Sequence, residues 1–222
     1  MPKGITREKV VEAALELLDE KGIDAVTVRA LAERLDVRAP ALYWHLRNKQ
    51  ELLDEMSTTV LRRIADVLPA PGSGWREDLA AYARVLRAEY LRHRDGARVF
   101  SGARVSDPTV VVRIKEPLYQ GWTKAGFTLA EADDALDVVV AFVVGFVIEE
   151  QERLQSAETD PSRYSLAERD AGLGEQAPLV KVAGHLRDDG DERFERHLGI
   201  VLDGLAARHV RGEQSGRKRR TR

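Results

Sequence analysis

The chain has 222 residues, 43% hydrophobic and 32% charged, enough for one large or two modest domains and too apolar for intrinsic disorder. It has no cysteine, which excludes disulfide frameworks, thiolate metal sites and cysteine nucleophiles. The net charge of −2 divides into +1 over residues 1–49, +5 over 211–222 and −8 over the body between, which suits a phosphate-facing N-terminal part and equally a solvated surface with a charged tail.

Helical periodicity runs almost from end to end. Thr6 is placed to cap a first helix whose Val10, Val11, Ala14, Leu15 and Leu18 form one apolar stripe, and Gly22 is placed to stop it. A short second helix follows Thr27, with Val28, Leu31, Ala32 and Leu35 inward. Asp36, Val37, Arg38 and Ala39 separate it from a third that starts at Pro40. Asn48 caps a longer helix to about Val67, and Pro69 to Gly74 reads as a linker. Beyond the linker the pattern predicts helices at 75–92, 96–103, 108–125, 129–154, 179–187 and 191–209, and no strand alternation competes. The stretch 156–177, rich in Ser, Asp, Glu, Pro and Gly, reads as a long loop, and 216–222 as a frayed basic tail.

The N-terminus shows no apolar leader, and the longest apolar run, residues 138–148, is far short of the roughly 20 residues a spanning helix needs. A soluble, cytoplasmic protein with no membrane partner is expected. Because the helix from Leu129 is apolar nearly all round between Val138 and Ile148, it is expected to be buried on every side. The last helix offers Phe194, Leu198, Val201 and Leu205 as a seam for a partner helix. These helices form an intrachain core or a dimer interface, and the dimer is preferred, with Val143 part of it.

Two short helices separated by three or four residues and packed on a first describe a helix-turn-helix. In the third helix Leu42 and Leu46 share one face, which leaves Arg38, Ala41, Tyr43, Trp44 and His45 outward or sideways. Aromatic O–H and N–H donors with Arg38 and Lys49 suit a sugar–phosphate backbone, and small Ala39 and Ala41 let the chain approach base edges. The alternative is a helix whose aromatics pack inside. Five histidines at 45, 93, 185, 197 and 209 show no metal-ligand spacing, so neither metal nor cofactor is expected. His93-Arg94-Asp95 mimics a kinase triplet, but no glycine-rich phosphate loop accompanies it. An enzyme is therefore the least favoured class. A sequence-independent architectural DNA protein, served by the run Arg217 to Arg220, is disfavoured by the acidic body.

The stretch Ala13 to Leu18, Gly22, Thr27 to Ala32, Leu35-Asp36-Val37 and Pro40 to Lys49 resembles the N-terminal domain of the tetracycline repressor family of transcription factors. Leu91 to Val99, Gly126 to Leu129 and Gly145 to Glu152 resemble the family's ligand-binding domain. The resemblance implies an all-α homodimer: a helix-turn-helix DNA-binding domain at 1–49, a connecting helix at 50–68, a ligand-binding and dimerisation domain at 75–210 and a disordered basic tail at 211–222. Its partners would be double-stranded operator DNA and a small-molecule inducer. By position it makes Arg29, Arg38, Ala39, Pro40, Ala41, Tyr43, Trp44, His45 and Lys49 the DNA-contacting set. Base readout falls to Arg29, Arg38, Ala39 and Ala41, and phosphate contact mostly to Tyr43, His45 and Lys49. At the stop of the second helix, where the family usually has glycine, stands Asp36, a residue that visits left-handed backbone more readily than most.

The implied pocket departs further from the family. Where its drug-binding members carry a metal-ligating histidine this chain has Phe100, and their polar drug contacts become Ala65, Tyr82 and Leu118. Only Arg104 and Glu149 stay polar in kind. Tyr82, Leu86, Phe100, Arg104, Val105, Leu118, Trp122, Asp137, Val140 and Glu149 form the expected lining. Asp137 is either a new anchor or a helix-start carboxylate facing solvent. The ligand expected is hydrophobic or aromatic and is not magnesium-tetracycline.

Overall fold

The computed structural model describes residues 5–160, 162–186 and 190–220, with the side chains of the last helix given as far as residue 209. Among those residues are eleven α-helices, one 3-10 turn and no strand. They fall into two compact units, Met1–Val147 and Ile148–Arg222.

In the first unit, α1 (Arg7–Lys21) begins where the Thr6 hydroxyl accepts the Lys9 N–H at 3.3 Å. It ends where Gly22, at φ +79°, donates its N–H to the Leu18 carbonyl at 2.8 Å. Val10, Val11, Ala14, Leu15 and Leu18 are all buried. After a 3-10 turn (Ile23–Ala25) comes α2 (Val28–Arg34), capped by Thr27, whose hydroxyl accepts the Ala30 N–H at 3.2 Å. The Arg34 guanidinium pairs with Glu16 and Glu20 and so fastens α2 to α1. Asp36 takes the left-handed turn at φ +50°, and the Val37 N–H closes on the Ala32 carbonyl at 2.9 Å.

Helix α3 (Ala39–Leu42) is shorter than its i, i+4 pair suggests. The N–H groups of His45 and Leu46 both return to the Leu42 carbonyl, at 2.9 and 3.0 Å, and that turn delivers the chain to α4 (Lys49–Val67). A reciprocal cap starts α4: Asn48 Oδ1 accepts the Glu51 N–H at 2.8 Å and the Glu51 carboxylate accepts the Arg47 N–H at 2.7 Å. Asn48→Ala is expected to cost about 1 kcal/mol and lower the melting temperature by roughly 2–4 °C, read by circular dichroism.

Helix α4 is the hub of this unit. It packs on α1 and also on α5 (Trp75–Leu91), α6 (Gly96–Phe100) and α7 (Pro108–Lys124). The linker before α5 is held by the buried Asp78 carboxylate, which accepts the N–H groups of Gly72 and Ser73 at 3.0 and 3.2 Å. The α5–α6 turn places Asp95 at φ +56°, and a Cβ on Gly96 would sit 2.3 Å from the Tyr90 carbonyl oxygen, so only glycine fits there. Helix α8 (Leu129–Thr159) starts in the first unit behind a Thr128–Glu131 cap and continues into the second. It is not buried on every side. Val139, Val143 and Val147 are buried, while Val138 is 47% exposed and Ala141 and Gly145 on the same face are open. Composition showed an apolar helix, but one chain has only enough neighbours to cover part of it.

In the second unit the expected loop 156–177 is partly helical. Helix α8 runs on to Thr159, and α9 (Leu166–Leu173) follows, with the Ser165 hydroxyl accepting the Glu168 N–H at 3.3 Å. The polar composition hid a Ser-x-x-Glu capping box. The Arg169 guanidinium donates to Asp170 and to the Lys181 carbonyl, and Asp170 meets His185 at 2.8 Å, which ties α9 to α10 (Pro178–His185). Residue 187, where α10 was expected to end, lies outside the described residues. Helix α11 (Gly190–Arg220) runs past the expected 209, and the side chains of the basic tail lie outside the described residues.

Three residues of the expected dimer seam are buried within the single chain. Phe194 and Leu198 are each 1% exposed in the single chain and Val143 is fully buried, so they have no surface left for a partner. Val201 and Leu205 are half-buried. Periodicity identifies a buried stripe without saying which chain buries it. The open face of α11 carries Ile200, Gly204 and Ala207 instead.

Candidate nucleic-acid interface and ligand site

Helices α1 to α3 form a small head whose core gathers Val10, Val26, Leu31, Leu42, Leu46 and Leu52. Anchoring Leu42 and Leu46 inside turns the intervening residues outward. Trp44 is 89% exposed and Tyr43 56%, a large aromatic surface for a head this small. Arg29, Arg38, Pro40 and Lys49 are exposed with them, and Ala39, Ala41 and His45 are half-buried. Sequence reading left out Arg47, exposed beside Lys49, although its position between two expected contact residues marked it. The α3–α4 turn is fixed from behind: Arg7 on α1 pairs with Glu51 and, at 3.4 Å, with Glu55. The Arg47 N–H and the Arg7 charge hold the Glu51 carboxyl below its ordinary range. The head therefore presents cations, aromatic donors and small residues on a braced turn, the donor set that phosphates and major-groove edges require.

The expected ligand lining is divided. Tyr82 and Leu86 on α5, Phe100 on α6 and Leu118 and Trp122 on α7 are each buried in the first unit, where α5 packs on both α6 and α7. Val105 and Val140 are half-buried. Burial, with Tyr90, Tyr119 and Asp137 contributing, pushes the Tyr82 phenol far up, and burial pushes that of Tyr90 up to about 12, so both stay protonated donors. Trp122 Nε1 is buried with no hydrogen-bond partner among the described residues, a cost of about 1–3 kcal/mol that calls for an acceptor.

Three polar positions of the expected lining are exposed. Arg104 is exposed and uses its backbone N–H on Asp54 at 3.0 Å. Asp137 is exposed, and Glu149 is taken up in the second unit by Arg193 at 3.2 Å and Arg153 at 4.0 Å. A groove of about 700 Å³ opens beside α7 instead, lined by Glu116, Tyr119, Gln120, Thr123, Leu129, Ala130 and Asp133. Tyr119 donates to Asp133 in its wall. Among the described residues no three His, Cys, Asp or Glu side chains gather as a metal would require, and Phe100 offers none of the oxygen donors magnesium prefers. No described helix is long and apolar enough to cross a membrane.

Comparison with known proteins gives this geometry its context. Residues 10–56 match the family described as bacterial regulatory proteins, tetR family, and residues 68–209 match the tetracyclin repressor-like C-terminal domain. The tetracycline repressor protein class A from transposon 1721 of Escherichia coli is 38% identical over 217 residues, 94% of this chain and 95% of that protein. A possible TetR family regulator from Streptomyces coelicolor A3(2) superposes with a TM-score of 0.78 at 37% identity, covering 90% of this chain and 98% of that one. BioQ, solved with its natural double-stranded DNA operator, does so with a TM-score of 0.63 at 33% identity over 92% and 99%. With an all-α fold, a braced helix-turn-helix head and both domains matched, the chain belongs to the tetR family of transcriptional regulators.

Proposed function

We propose that the chain acts in the cytoplasm as a homodimeric repressor that leaves a palindromic operator when a small hydrophobic or aromatic molecule, other than magnesium-tetracycline, binds its C-terminal domain. The observation that carries the DNA part is the exposed array of Trp44, Tyr43, Arg38 and Lys49 on a head whose core is otherwise closed. Support for the ligand part comes from Tyr82, Phe100, Leu118 and Trp122, buried on helices that pack together, and from the Trp122 indole N–H, which meets no acceptor among the described residues. Entry of a ligand moves these packed side chains, and that displacement is how occupancy reaches α4 and the head. The two-fold symmetry of a dimer places two heads in successive major grooves, about 34–36 Å apart.

Selection from random DNA followed by footprinting tests the reading: one inverted repeat should be protected, and uniform coating of any DNA overturns it. Within the bound site, Tyr43→Ala and Lys49→Ala should weaken all sequences alike. Arg38→Ala should relax preference at one base pair per half-site and cost roughly 1–3 kcal/mol in anisotropy titrations. An equal, sequence-blind loss in all three variants would refute this division.

A further inference from the structure

His93, in the turn between α5 and α6, is buried, and its two ring nitrogens reach two other helices. Nδ1 lies 2.9 Å from Oδ1 and 3.1 Å from Oδ2 of Asp19 on α1, and Nε2 lies 3.2 Å from an Arg63 guanidinium nitrogen on α4. A guanidinium carries only donors, so Nε2 accepts from Arg63 and Nδ1–H donates to Asp19. Two residues on, Asp95 Oδ2 accepts the Ile23 N–H at 3.3 Å, just past the end of α1. The head is thus fastened to the α5–α6 turn at two points and, through one imidazole, to the connecting helix.

We infer that His93 is a positioning residue for DNA binding: it sets the angle at which the head stands on its own body, and so the one half-site spacing that a dimer accepts. This rests on the two-half-site reading above. A head joined to its body only through the start of α4 would pivot and tolerate several spacings. The strut of Asp19, His93 and Arg63 removes that freedom. Gln offers a carboxamide N–H and C=O that can replace both bonds, whereas Leu fills the site and makes neither.

The test uses full-length protein and the selected operator, with the same half-sites set at the native spacing and one base pair closer or wider. The wild type should lose about 30-fold or more on altered spacing as its second head disengages. His93→Leu should bind all three spacings within about 3-fold of one another, keep its affinity for an isolated half-site, and be rescued by His93→Gln. Asp19→Ala, at a partly exposed carboxylate, should reproduce the loss of discrimination and decides the matter if His93→Leu does not fold. Full spacing discrimination in a folded strut variant overturns the inference and leaves His93 a stability residue. Loss of isolated half-site binding, or failure of His93→Gln to rescue, also overturns it. If the wild type selects no DNA at all, the operator reading itself falls and this inference falls with it.

Discussion

Ile200→Asp combined with Gly204→Glu is expected to turn a dimer of about twice 24.8 kDa into a folded monomer, and to weaken operator binding by about 100-fold or more. Ile200 is 65% exposed, with Gly204 and Ala207 beside it, and α8 shows Val138, Ala141 and Gly145 open in the same way. Small residues let helices approach closely, and the aliphatic side chains supply the apolar area, which fits each face for a mate in a second copy. Two added carboxylates per chain on such a face leave charges desolvated against a partner, yet cost the monomer little because the positions face water in the single chain. Affinity falls because each head then binds alone, without the effective concentration that a joined second head provides.

Leu198→Asp should behave differently. At 1% exposure the new carboxylate enters the chain's own core, and the expected result is loss of the cooperative melting transition rather than a clean monomer. Light scattering with circular dichroism separates the two cases. A dimer that survives Ile200→Asp with Gly204→Glu at micromolar concentration would refute this face. A folded monomer from Leu198→Asp would restore the seam that periodicity first suggested.

The head was almost wholly legible in the sequence. Thr6, Thr27 and Asn48 are local caps whose bonding partners lie three residues away, and Asp36 stands where the resembled family usually has glycine, at a left-handed turn that Asp tolerates. Leu42 and Leu46, four residues apart, are both inward as their spacing indicated. Contacts between distant elements were not legible. The same heptad-like spacing that marks Phe194 and Leu198 as buried fits an intrachain core and a dimer seam equally. The identity of α9 hung on one capping box inside polar sequence. For the ligand lining, resemblance carried Arg104 and Glu149 over by position, and Glu149 also pairs with Arg193, across 44 positions, which no local pattern records. The strut at His93 was invisible for the same reason, since Asp19 is 74 residues away.

Tetracycline with magnesium is expected to leave the operator complex intact. The relatives that carry the tetracycline repressor name share the fold and up to 40% of this sequence, so the contrast depends on a few side chains. Phe100 is 3% exposed and packs against Tyr90 at 5.9 Å and edge-on against His93 at 5.5 Å, while its carbonyl accepts the Ser57 hydroxyl at 3.3 Å. It closes the position that resemblance assigns to a metal-ligating histidine, and it cannot hold a cation that prefers oxygen donors. Ala65 and Leu118 offer no hydrogen bonds where polar contacts would be needed. Each polar ligand atom buried without a partner costs about 1–3 kcal/mol, so three lost contacts at about 1 kcal/mol each already remove over two decades of affinity. The donors that remain, the Tyr82 hydroxyl and the Trp122 indole N–H, suit an aromatic ligand bearing a neutral acceptor such as a carbonyl oxygen. Anisotropy of labelled operator DNA, titrated with tetracycline with and without magnesium, reads release directly, and Trp122 fluorescence reads ligand occupancy. Release at micromolar tetracycline that depends on magnesium would overturn this account of the pocket. Retention of the complex in that titration, joined to quenching of Trp122 by an aromatic ketone that does release the DNA, is the expected result.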